Sequence, residues 1–355
     1  MKKLVLSLLT ALMAVCTIQA QTSLVATLNH EGNITAFYGR NALSDAHTAA
    51  VNGDIITLSS GTFNACDITK AVTIRGAGME YNDGLAPTIL QNDFYVYVAA
   101  DSTNVLTMEG IYHNNTMYMT KATKSLFFKC RFSKISTYST GNNYSSSVGS
   151  VRDASFIHCK VSTYFYLAGG DNVSFDNCVV NNPTWYSYSP YTANTNYYFT
   201  NCVLRFNGNS CFTSGNYAYP SRIGYSSLKN CIIYSTLTDD SKNAFPLTTV
   251  LYNNVSNQNC FINSANTTNT VEADFTKLFK TWTGANYSDE EAFDLTDTAV
   301  AKYLGDDGKQ VGIYGGSLPF DPVPTHPKIT KCDVAAKTTA DGKLSVDIEV
   351  KGADY

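Results

Sequence analysis

Aromatic side chains are the densest source of binding chemistry in this chain. The stretch "TYFYLAGGDN" carries Tyr164 and Tyr166 two positions apart, and "NNPTWYSYSPYTANTNYY" and "SGNYAYPSRIGYSS" add Trp185, Tyr186, Tyr188, Tyr191, Tyr217, Tyr219 and Tyr225. Such rings offer an apolar face and a polar tip, and the interleaved Asn and Ser can bond hydroxyl groups. The combination suits a hydroxyl-rich ligand. It also suits long loops that must pack on a β surface, so both readings stand at this stage.

Ionisable residues form no comparable group. His30, His47 and His326 lie outside the repeated stretches, and His113 follows a strand with no Ser or Cys partner that the sequence can place beside it, so no nucleophile triad is visible. No C-x-x-C pair is present, and zinc is not expected. Asp239-Asp240 sits among loop residues and reads as a solvated turn.

The elements that must carry these residues follow from a repeat. The steps "SFIHCKV", "VSFDNCVV", "YYFTNCVL", "SLKNCII" and "SNQNCFI" share an apolar alternation, a polar residue and then Cys. With Cys130 ahead of them, the cysteines Cys159, Cys178, Cys202, Cys231 and Cys260 follow in steps of 29, 19, 24, 29 and 29 residues. Gly110-Ile111 and Gly76-Ala77 fill the same slot upstream, which gives eight coils whose variable length falls in loops. The residue ahead of the slot reads Gly76, Gly110, Lys129, His158, Asn177, Asn201, Asn230 and Asn259. Gly and Asn enter the left-handed conformation most readily, so this column marks a sharp corner between two short strands. Val173 and Phe175 then point inward, Cys fills the interior of the next strand, and the Asn amides stack into a ladder that bonds from coil to coil. In the minimal coil after Cys159, Phe165 and Leu167 go inward and leave Tyr164 and Tyr166 outward.

The "F-x-N-C-x-V" step and the Asn column resemble right-handed parallel β-helix proteins of the pectate-lyase-like superfamily. "GRNALSDAHTAAVNGDIITLSSGTFNACDITKAVTIRGAG" is similar to the usual start of such helices, a short capping helix before the first coil. Its helix is also readable directly: Asn41 as N-cap, Leu43, Ala46, Ala49 and Ala50 on one face, Asn52-Gly53 as the stop. "YLGDDGKQVGIYGG" resembles the close of many exported β-helix proteins of Bacteroidota. The expected fold is therefore all-β, a right-handed parallel β-helix (solenoid) over residues 21–320, with an N-terminal capping helix. "TVEADFTKLFKTWTG" reads as a helix or helical turn near its C-terminal end, with Trp282 in a core. A Pro-rich linker and a β-hairpin around Asp341-Gly342 occupy 321–355.

Residues 1–20 have the charged, apolar and small-residue layout of a secretory signal, with Lys2, Lys3, "LVLSLLTALMAVCTI" and Ala20. The mature chain is expected to start at Gln21 and to be exported to the periplasm, the outer surface or the medium. Val15 before Cys16 is large for a lipidation motif. Nine cysteines remain after Cys16. Stacked at about 4.8 Å on parallel strands, they are expected as reduced interior thiols, because that geometry rarely meets disulfide torsions. Charged residues make up 15% of the chain and the net charge is −4 without basic runs, which argues against nucleic acid or an anionic membrane as partner.

The resemblance implies two chemistries to look for. A lyase of this superfamily uses a cation or an Arg/Lys cluster to neutralise a uronate and a base to take the adjacent proton; here Lys134, Arg152, Arg205 and Arg222 fall in different coils, and no Asp cluster recurs to hold calcium. Polygalacturonase-type relatives carry His and Asp motifs that this chain lacks beyond Asp239-Asp240. Relatives of this fold hold glycans in a lateral groove. The leading expectation is thus a non-catalytic protein that binds a polysaccharide or glycoconjugate, or serves in surface adhesion, through Tyr164, Tyr166, Trp185, Tyr186, Tyr188, Tyr191, Tyr217 and Tyr219. The alternatives are a divergent lyase or glycosidase using Arg222, Arg205 and Asp171, with calcium only in that case, and a purely structural or partner-binding surface protein.

Overall fold

A computed structural model describes residues 24–82, 84–98, 103–137, 150–167, 170–185, 196–206, 226–236, 245, 249–261, 268–284, 288, 291–334, 341–343 and 346–351. The expected signal segment and Asp239-Asp240 lie outside them.

The chain is an all-β parallel solenoid. One sheet stacks Ile55–Leu58, Thr73–Arg75, Thr107–Glu109, Leu126–Phe128, Ser155–Ile157, Val173–Asp176, Tyr197–Thr200, Ser227–Lys229 and Val250–Tyr252, each parallel to the next. A second sheet stacks the strands that follow each corner, from Gly61–Asn64 through Ile111–Thr123, Arg131–Ser136 and Lys160–Leu167 to Val255–Ser256 and Thr270–Val271. An antiparallel pair, Val25–His30 and Asn33–Tyr38, precedes the first coil, and the helix Ala42–Ala49 packs against it. That helix buries Ala42, Leu43, Ala46 and His47, whereas Ala49, expected inward, is exposed. Asn41 does not cap it with its side chain; the Asn41 Oδ1 accepts from the Asn64 amide instead.

The corner column behaves as its composition demands. Gly110, Lys129, His158, Asn177, Asn201 and Asn230 all have φ between 50° and 67°. The backbone N–H of each bonds the next coil, as in His158 to Asp176 O and Asn177 to Thr200 O, both at 3.0 Å. Two positions differ from the sequence alignment. Gly76 is not left-handed; it is needed because a Cβ there would lie 2.5 Å from the Gly110 carbonyl oxygen. The last corner is Asn253, with φ 53°, not Asn259, so Asn254 occupies the slot assigned to Cys260. "VLYNNVSNQNC" contains two Asn-x steps, and cysteine drew the alignment to the wrong one.

Inside, four successive coils each add one ring to a phenylalanine stack. Phe127, Phe156, Phe175 and Phe199 lie 4.7, 4.6 and 4.9 Å apart in sequence with nearly parallel planes. Such pairs add roughly 0.5–1.5 kcal/mol beyond the burial of their area. Beside them Cys130, Cys159, Cys178, Cys202 and Cys231 are buried free thiols. Each S–H donates to a carbonyl of the preceding coil at 3.2–3.4 Å, Cys178 for instance to Phe156 O. Burial pushes the Cys130 thiol up to about 12 and raises those of Cys178, Cys202 and Cys231 well above the ordinary thiol value, so they serve as small inert hydrophobes.

After the last coil the chain turns back. Phe275–Leu278, capped by Asp274, and Asp297–Lys302, capped by Thr296, are short helices in a layer over the outer face of the second sheet. Their Phe275, Leu278, Phe279, Phe293 and Leu295 pack with Val179, Val203, Ile232 and Val255, the outward residues of the last four coils. Trp282 joins this second core, stacked on Phe279 at 5.4 Å. From Tyr303 the chain runs as a strap along the corner column, from the last coils to the first. Gly312 N–H bonds Asn230 O, the Asn177 amide donates to Ile313 O and Gly315 O, His158 donates to Leu318 O, and Lys129 pairs with Asp321. Thr325 reaches Glu109, and Pro324 lies against Gly110. The Asn177 and Asn230 corner amides therefore bond the strap, not one another as the ladder expectation had it.

The tail forms the expected antiparallel hairpin, Lys328–Val334 with Val346–Lys351. Among the described residues no helix is long and apolar enough to cross a membrane.

Candidate functional site

Past its first few residues the second sheet bends into a third face. The bend is a bulge: His113 and Thr116 align with Phe132 and Lys134, so one strand spends fewer residues on the turn than its neighbour. Beyond it, Phe94–Val98, the end of Ile111–Thr123, Ile135 and the end of Lys160–Leu167 continue in parallel, with Pro183–Trp185 added at one side. Strand alternation then sets what faces solvent. Phe94, Val96, Met117, Met119, Ile135 and Phe165 are buried in the coil. Half-buried Tyr95, Tyr118 and Tyr166 share one register with the buried Ser136, and half-buried Lys134 and Tyr164 share the next with the buried Thr116.

The result is a tyrosine-rich outer face with ammonium groups set into it. Tyr95 and Tyr118 stack at 4.9 Å with planes 18° apart, and Tyr164 leans on Tyr166 at 4.2 Å. Lys134 Nζ sits 5.4 Å over the Tyr164 ring and Lys121 Nζ 5.4 Å over that of Tyr97. Nearer the corner the Arg131 guanidinium covers Tyr112 at 4.4 Å. These cation–π contacts hold the cations at the surface while the ring faces stay covered. The faces of these rings are thus taken up by neighbours. Burial, with Asp93, Tyr95 and Tyr164 nearby, raises the Tyr118 phenol above its ordinary value, which keeps it a proton donor at neutral pH.

Tyr164 and Tyr166 are half-buried on this face, outward as expected. Tyr186, Tyr188, Tyr191, Tyr217, Tyr219, Tyr225 and Arg222 lie outside the described residues, and Trp185 pairs through its backbone with Leu167. Tyr95, Tyr97, Tyr112, Tyr118, Lys121 and Arg131 were missed by sequence reasoning, which looked for aromatics in long loops. A signal was present: Tyr118 and Tyr166 both lie eight residues after their corners, Gly110 and His158.

Of the residues considered for catalysis, the described pair Arg205 and Asp171 are not brought together. Arg205 is buried beneath the C-terminal layer, its guanidinium 2.5 Å from Glu291 and 4.9 Å from the Trp282 ring. It holds that layer down and does not line a groove. Asp171 lies at a different corner, where its carboxylate accepts from the Asn196 amide and its backbone pairs with Arg152. The other buried cations, Lys160 with Glu80 and Lys129 with Asp321, also serve the C-terminal layer and strap.

No family model, no curated protein and no solved structure matches this chain.

Proposed function

We propose that this protein is an exported, non-catalytic carbohydrate-binding solenoid, allied to the pectate-lyase-like β-helix proteins of Bacteroidota type, and that its ligand is a polysaccharide or glycoconjugate. The observation that carries this reading is the register of Tyr95, Tyr118, Tyr164 and Tyr166 on one outer face, with Lys121 and Lys134 set among them. Phenol groups and ammoniums there recur at the strand spacing of about 4.8 Å. That repeat is close to the length of one sugar residue along an extended chain, so a glycan lying along the solenoid axis would meet a polar group at each coil.

Affinity electrophoresis of the whole protein through gels containing neutral and acidic polysaccharides tests it. Retardation by at least one polysaccharide is expected, with a loss of about tenfold or more in affinity in the Tyr118→Ala/Tyr164→Ala double variant at unchanged circular dichroism. No retardation by any polysaccharide, retardation unaffected by the double variant, or cleavage of the polysaccharide would sink the reading.

A further inference from the structure

The strap over the corner column is matched to the side chains beneath it, coil by coil. Asn230 and Asn177 give amides to Asp306 and to two carbonyls, and Lys129 gives its ammonium to Asp321 Oδ2 at 2.7 Å and Val323 O at 2.5 Å. At the coil between Lys129 and Asn177 the corner residue is His158, 2% exposed, and the strap grips both of its ring nitrogens with groups of opposite kind. Leu318 O at 3.0 Å from Nε2 needs a proton there. Asp321 N–H, 3.3 Å from Nδ1, needs a lone pair. The neutral Nε2–H imidazole alone satisfies both.

A second proton on Nδ1 would point at the Asp321 N–H. Its surroundings would not compensate it. Lys129 from the preceding coil brings positive charge, and the Asp321 carboxylate is already held by Lys129 and by the Val323 N–H at 2.9 Å. Phe128 and Phe320 flank the ring at 5.8 Å each, and beyond Phe320 lies Lys160, paired with Glu80. Next along the strap towards the first coil, Glu109 faces Thr325 and His326.

We propose that the strap is an acid-released clasp: protonation of His158 frees residues 317–323 from the corner, while Gly312 on Asn230 and Thr325 on Glu109 keep both ends attached. The proposal does not depend on what the tyrosine face binds. Burial, with the Lys129 charge behind it, lowers the His158 imidazole from its ordinary 6.5. The sign follows from linkage. A folded-state value below the open-state one means that the clasp is fully held above pH 6.5 and weakens as pH falls below it.

Hydrogen exchange of the full chain, corrected for intrinsic rates and read in peptides over 317–323 and over the Phe stack, is the test. Between pH 7.5 and 5.0 protection of the strap is expected to fall about tenfold, with a ceiling of about 30-fold set by the ordinary imidazole value, while the stack is unchanged. In His158→Asn the fall should vanish, because Asn tolerates the left-handed corner, as at Asn177, and does not titrate. In His326→Gln it should persist. A fall that survives His158→Asn, disappears in His326→Gln or is absent from the wild type overturns the proposal. A direct NMR titration of His158 in the wild-type chain decides the matter should His158→Asn misfold: a value below 6.5 supports the clasp and one at or above 6.5 removes its cause.

Discussion

Asn254 stands where the coils before it place a thiol: its Oδ1 accepts the Cys231 amide N–H at 2.9 Å, as Cys231 Sγ accepts that of Cys202 at 3.4 Å and Cys178 Sγ that of Cys159 at 3.3 Å. Its amide also donates to Leu228 O, the acceptor that corresponds to Phe199 O for Cys231. Asn269 follows in the same way, donating to Leu251 O and accepting from Asn254. The interior column thus changes from sulfur to amide as the stack ends, and the polar groups of the last coils are bonded within the column.

This substitution of amide for thiol gives a graded expectation. Asn254→Ala leaves the Cys231 N–H and Leu228 C=O without that partner in a dry interior, at a cost of about 2–4 kcal/mol. Asn254→Cys restores both bonds in the form used by the earlier coils and loses the contact to Asn269, costing about 1 kcal/mol. Urea unfolding midpoints rank the two. Equal costs would show that the hydrogen bonds of this column do not matter to stability.

The Arg205–Glu291 pair carries a second prediction. Both side chains are at most 2% exposed, and Glu291 also accepts from the Thr283 hydroxyl while Arg205 donates to Gly284 O. Removing one partner leaves a charge in a low-dielectric layer, so Glu291→Gln should cost about 3–5 kcal/mol. Arg205→Met with Glu291→Leu removes both charges and should cost less than either single change. Denaturation of the three variants, followed by Trp282 fluorescence as the layer lifts, checks the order.

How much of this could be read from the sequence depends on whether a feature repeats. The corners and the interior column were legible because the middle coils restate the same local demand, an inward apolar residue, a left-handed corner and a small Cys, and the misplacement at Asn259 came from two Asn-x steps in one stretch. The strap was not legible, since Asn177 meets Ile313 and Lys129 meets Asp321 across more than a hundred residues without periodicity in the strap itself. One trace of its layer was visible: after Cys178, Cys202 and Cys231 the runs Val179-Val180, Val203-Leu204 and Ile232-Ile233 are apolar on both faces, whereas Arg131 and Lys160 break the pattern in earlier coils. A strand apolar on both sides needs a cover on both sides. The tyrosine face was half legible, because "TYFYL" lies in a minimal coil, while the bulge between Phe132 and Lys134 put Ser136 one residue out of step and hid the alignment of Tyr118 with Tyr166.

The far end of the strap gives the last prediction, at Glu109. Burial by itself would raise this carboxyl, but the His326 ring 3.6 Å away and bonds from the Thr325 N–H and hydroxyl outweigh it and bring it down to about 2. A folded value depressed below the ordinary 4.5 contributes stability that is complete above pH 4.5 and is lost as pH falls towards 2. Allowing for solvent screening, the contribution is about 2 kcal/mol. Glu109→Gln should therefore be less stable than the wild type by about that amount at pH 7, and the gap should close between pH 4.5 and 2. Urea midpoints at pH 7, 5 and 3 measure it. A gap that stays constant across that range would mean that Thr325 and His326 bind the side chain for its shape and not for its charge.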